Sequence, residues 1–154
     1  MRSVVGKLVA FAAPLAFAAP AYADWEGTKW GMSPNETLAV LNNASSHNPA
    51  PSEIFEYAGA SYQPLVKLAH LTEGIEGEAS LLFDTDGKLQ FVVFMPGDLS
   101  QCDSLAAALG ETHGAADVSG FGSTSILNWI DGENVIRLTN AAGIGICNLS
   151  YGAS

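Results

Sequence analysis

Positive charge is scarce in this chain: six Lys and Arg stand against 16 Asp and Glu, a formal net charge of −10. Arg2 and Lys7 lie in the first seven residues, so beyond residue 23 only Lys29, Lys67, Lys88 and Arg137 face all 16 carboxylates, a net of −12. Such a surface repels nucleic acid and anionic lipid heads. It serves solubility first and a basic partner only second. Chemical signatures are equally sparse. His47, His70 and His113 lack the paired Cys/His spacing of a zinc site, so no metal is expected. Asp84-Thr85-Asp86-Gly87 starts like a calcium loop but lacks the third acid and the late glutamate, which leaves a hairpin turn. No Gly-x-Ser-x-Gly elbow occurs, and Glu73, Glu76 and Glu78 cluster in a Gly-rich turn as solvated surface. No catalytic residue and no cofactor are expected, and an enzyme is the less favoured reading.

Long apolar runs are limited to one, Val4 to Ala19, preceded by Arg2 and Lys7 and followed by Ala21-Tyr22-Ala23 before Asp24. A charged start, an apolar middle and small residues at the cleavage positions read as a secretory signal peptide ending at residue 23. Pro14 and Pro20 interrupt the run, which falls short of the ~20 apolar residues of a span. The expected product is therefore 24–154, a single periplasmic or secreted domain with no membrane span and, lacking a cysteine at the cleavage site, no lipid anchor.

Two cysteines remain, and the oxidising compartment favours a bond between them. Cys102, Leu105, Ala106 and Leu109 share one helical stripe, while Cys147, Leu149 and Tyr151 share one face of a terminal strand. Both sulfurs then point inward, closing a loop of roughly 45 residues worth about 4 kcal/mol in the chain-entropy model.

Along the chain, Ser33-Pro34-Asn35-Glu36 carries a cap, a first-turn proline and a capping-box acid for a short helix ending at Asn42-Asn43. Residues 43–64 read as a long connection with a helical turn over 53–57. From Leu65 the period becomes two, predicting antiparallel strands over 65–72, 78–84 and 88–95. Ala79, Leu81 and Phe83 are expected inward, as are Leu89, Phe91, Val93 and Met95. A second helix follows over 101–113, stopped by Gly114; residues 118–123 read as a Gly/Ser connection, and strands over 124–130, 134–139 and 144–151 repeat the pattern, with Asp131-Gly132 as the hairpin signal. The expected fold is α+β: two helices packed on one face of a mostly antiparallel sheet, built as tandem helix plus three-strand units. That leaves the opposite face open to solvent or a partner.

Trp25, Trp30 and Trp129 are the binding candidates. If Ile126, Asn128 and Ile130 point one way, Leu127 and Trp129 point the other, and an exposed Trp is a common interface anchor. The competing expectation is a Trp packed beneath the N-terminal segment, which buries a large ring.

Trp30-Gly31-Met32-Ser33 opening a helix, Asp86-Gly87-Lys88-Leu89 in a hairpin, and Trp129 with Cys147 to Tyr151 at the close resemble small uncharacterised periplasmic bacterial proteins. In architecture the tandem units are similar to the β-lactamase inhibitor protein and to outer-membrane lipoprotein assembly modules, a resemblance that implies protein binding through a sheet face. The expectation is an exported, non-catalytic protein-binding or inhibitor-like module with a protein partner in the bacterial envelope. Two alternatives stay open: an envelope-polymer hydrolase with an unrecognised carboxylate site, and a small apolar-ligand carrier.

Overall fold

The computed structural model describes residues 24–154; the expected signal peptide, 1–23, lies outside them. A two-stranded ribbon of β1 (Asp24–Trp25) and β2 (Thr28–Lys29) leads into α1 (Pro34–Val40). The capping box closes as its sequence dictates: Ser33 Oγ accepts from the Glu36 amide at 3.3 Å, and a Glu36 carboxylate oxygen accepts from the Ser33 amide at 2.7 Å.

Two short strands, β3 (Ser45–Ser46) and β4 (Phe55–Tyr57), precede an antiparallel meander of β5 (Ala60–Thr72), β6 (Ile75–Phe83) and β7 (Leu89–Pro96). Next come α2 (Cys102–His113), β8 (Asp117–Phe121), β9 (Thr124–Asp131), β10 (Asn134–Ala141) and β11 (Ile146–Ala153). One sheet forms in the order β3-β5-β6-β7-β11-β10-β9-β8, with β4 pairing the start of β5. The fold is α+β, its sheet antiparallel, and among the described residues no helix is long and apolar enough to cross a membrane.

Both helices cover the same face. Val92 and Phe94 alternate inward on β7, paired with Tyr151 and Leu149 of β11. Val92 belongs to one buried cluster with Leu41, just past α1, while Phe94 belongs to another with Leu105 and Leu109 of α2. Tyr151 touches both halves of this core. Its hydroxyl is pushed up to about 12, by burial first and by the Glu73 carboxylate second. Cys102 and Cys147 are bonded, both buried, with Cα atoms 5.9 Å apart, so the disulfide ties the first turn of α2 to β11 as the apolar pattern requires.

Three expectations are corrected. The stretch 43–64 is not one long connection: it contributes β3, a 3-10 turn at Pro51–Glu53 and β4, and β5 begins at Ala60 rather than Leu65. Ala58 and Gly59, with φ of 51° and 80°, form the two-residue turn between Tyr57 and Ala60, a geometry requiring φ > 0 at both positions. Pro64 is tolerated inside β5 because it adjoins a bulge, where Leu65 and Val66 together face Leu81.

The inward face of β7 changes phase. Leu89 pairs with Phe83 but Phe91 with Leu82, so Gln90 is an extra residue. This bulge leaves Leu89 buried and then turns Val92 and Phe94 inward, whereas Phe91 and Val93 face outward and Met95 is 43% exposed. Residues 117–121, read as connection, form the edge strand β8, so four strands rather than three follow α2. Of the two alternatives for Trp129 the structure shows burial: the ring is 4% exposed and packs toward α2 rather than beneath the N-terminal segment, while Ile130 is 75% exposed.

Candidate functional site: the open sheet face

Because α1 and α2 share one side, the other side of the sheet carries no α-helix among the described residues. An aromatic and apolar region lies where β4, β5, β6 and β7 meet. Phe55 pairs with Tyr62 across β4 and β5, Pro64 pairs with Leu82, and Leu82 pairs with Phe91. Leu82 is only 4% exposed and Pro64 is also buried, although both face away from the helices. The cover is aromatic. Phe91 stands edge-on to Tyr62 and to Tyr57, with ring centroids at 5.0 and 6.1 Å, and Phe55 lies nearly parallel to Tyr57 at 6.3 Å. Edge-to-face rings at such separations attract beyond their buried area.

Phe55 and Tyr57 remain 46% and 47% exposed. They supply rigid aromatic surface on a framework whose lower layer is already packed. Gly152, the register partner of Phe91, makes room for this arrangement: a Cβ there would stand 2.8 Å from Phe91 Cδ1.

A charged brace holds the aromatic connection to the sheet. Glu53 accepts from the Ala50 amide at 2.8 Å and from Lys67 Nζ at 2.9 Å, and His47 Nε2 lies 2.9 Å from the same carboxylate. The Ala50 amide, then Lys67 and His47, lower the Glu53 carboxyl to about 2. Lys67 also reaches Glu78 at 3.5 Å. Farther along the open face Arg137 lies between Asn128 of β9 and Ser150 of β11, its Nε donating to Asn128 Oδ1 at 2.8 Å.

The three tryptophans serve the covered face or the chain start. Trp129 donates its indole N–H to the Gly114 carbonyl at 2.9 Å and lies 6.5 Å from the His113 ring, closing the end of α2 onto β9. Trp25 is buried against His70, centroids 4.8 Å apart. Trp30, half-buried, donates to Asn134 Oδ1 at 3.0 Å. They are not brought together on the open face. His113 and Asp131 approach to 3.5 Å, and His70 and Glu26 to 3.9 Å. Among the described residues no group of three or more His, Cys, Asp or Glu could hold a metal ion. A shallow hollow of about 230 Å³ beside α1, lined in part by Glu26, Asn42, Asn43 and His70, is smaller than the ~300–1,000 Å³ of typical ligand pockets.

Sequence reasoning missed Phe55, Tyr57 and Tyr62 and placed Phe91 in the core. The available signal was alternation: Phe55 and Tyr57 are two apart, and so are Tyr62 and Pro64. No protein-family model, curated protein or solved structure matches the chain.

Proposed function

We propose that this is an exported, non-catalytic module that binds a protein partner of the bacterial envelope through the open sheet face. The observation that carries the reading is the placement of exposed Phe55 and Tyr57 over the packed Tyr62, Phe91 and Leu82, on the side that neither helix covers. Interfaces concentrate their binding energy in a few aromatic anchors set in well-packed surroundings. The charged and apolar start of the chain, with its small-residue cleavage positions, supports export. The intramolecular disulfide supports that address. The tandem helix-plus-meander plan expected from the sequence adds support, since it resembles modules that bind proteins on a sheet face.

The test compares capture of envelope proteins by the wild-type chain, by Phe55→Ser/Tyr57→Ser and by the helix-side control Ala107→Ser. Loss of two anchors at 1–2 kcal/mol each lowers the yield of a specific partner at least about tenfold. Equal capture by all three proteins contradicts the reading, as does turnover of an envelope polymer that one carboxylate substitution abolishes without changing the thermal midpoint.

A further inference from the structure

The open face carries a second feature, of opposite chemistry. Arg137 is the single arginine beyond residue 2, in a stretch where carboxylates outnumber cations four to one. It is exposed, and among the described residues no carboxylate lies within 4 Å of it. Lys67, four strands away on the same face, is by contrast taken up by Glu53 and Glu78. Arg137 is also oriented. Its Nε–H is held by Asn128 Oδ1, and Ser150 flanks it on the next strand. A guanidinium has five N–H donors in a planar fork; with Nε committed, the paired Nη groups remain for a bidentate acceptor.

The distance to the aromatic cluster follows from register. Phe91 pairs with Gly152 and Gly152 with Val135, so Phe91 lies two strands from β10, and Arg137 lies two residues farther along it. Strand spacing and rise put the two side chains about 12 Å apart on one face. Residues i and i+4 of an extended segment share a face and lie about 13 Å apart.

We propose that Arg137 holds a carboxylate of the partner protein, and that the open face recognises an extended segment presenting an aromatic or large apolar side chain four residues from a single Asp or Glu. This rests on the open face being the binding surface. Charge complementarity selects the occupant. A polyanion meets a chain of net charge −12 beyond residue 23 with one unpaired cation on this face, whereas a single carboxylate beside an apolar anchor matches what is displayed.

The experiment uses a displayed library of random octapeptides selected on residues 24–154, with each selected peptide retested on Arg137→Gln, Arg137→Lys and Phe91→Ala; thermal midpoints check that each variant folds. The expected result is enrichment of an aromatic or apolar residue four positions from an acid. Affinity falls about tenfold or more on Arg137→Gln, falls less on Arg137→Lys, which keeps charge but loses the fork, and falls on Phe91→Ala. Peptides that depend on Phe91 but show no acidic preference and ignore Arg137→Gln overturn the carboxylate proposal and leave the open face standing. Peptides indifferent to both substitutions overturn both. Arg137-dependent binding of dextran sulfate without any selected acidic peptide overturns the proposal in favour of an anionic polymer.

Discussion

Phe91 and Tyr62 meet edge to face, ring planes at 83° and centroids 5.0 Å apart, on the side of the sheet that neither helix covers. The contact exists because of a bulge. Were Gln90 an ordinary paired residue, strict alternation from Leu89 would send Phe91 inward with it. The same bulge buries Val92 and Phe94 under the helices, so one backbone irregularity assigns side chains to the core and to the exposed surface together.

The disulfide between Cys102 and Cys147 separates residues 45 apart in sequence. Replacing both by alanine is expected to lower unfolding free energy by about 4 kcal/mol in the chain-entropy model, read from urea denaturation. Unreduced, unfolded protein should give no thiol signal with Ellman's reagent; two titrating thiols would refute the bond.

Trp129 acts on stability. Trp129→Ala removes a buried ring from against α2 and is expected to cost about 3–5 kcal/mol. Trp129→Phe keeps most of the apolar volume but leaves the Gly114 carbonyl without its indole donor, for about 1 kcal/mol more than a repacked ring alone. Thermal unfolding reads both, and partner binding by whatever fraction remains folded should be unchanged.

Glu53 makes the brace pH-dependent. Its carboxyl is depressed from 4.5 to about 2 in the folded chain, so its stabilisation is complete above pH 4.5 and is lost as pH falls toward 2. Wild type should therefore melt above Glu53→Gln at pH 7, and the gap should narrow steadily between pH 4.5 and 2. A gap independent of pH over that window would remove the carboxylate from the account.

Ala58 sits at φ 51° in the turn that returns β4 onto β5. A left-handed alanine costs roughly 1 kcal/mol, a penalty that asparagine largely avoids. Ala58→Asn is expected to raise the thermal midpoint by a few degrees and to leave the disulfide intact; a lowered midpoint would mean that Ala58 makes a contact worth more than its strain.

Much of the fold was legible where local chemistry decides. Ser33 and Glu36 announced α1, Gly114 ended α2, and the inward spacing of Cys102 and Cys147 anticipated their bond. Alternation failed at Gln90 because a bulge leaves no residue-type signature strong enough to shift the phase by one. It failed at β8 because Gly120 and Gly122 read as connection, whereas pairing with β9 holds residues 117–121 extended. The aromatic site was hidden for a third reason. Tyr57, Tyr62 and Phe91 come from separate strands and converge only through long-range register, while Trp129, the residue most conspicuous in the sequence, fills the core.

The open face as the working surface is tested most directly by photocrosslinking in the living envelope. p-Benzoylphenylalanine is placed singly at Phe55 or Tyr57 on the open side and at Ala107 or Glu111 on the exposed side of α2. Discrete protein adducts from Phe55 and Tyr57, and none from Ala107 or Glu111, are the expected result. Adducts confined to Ala107 and Glu111, or formed equally on both sides, would contradict it.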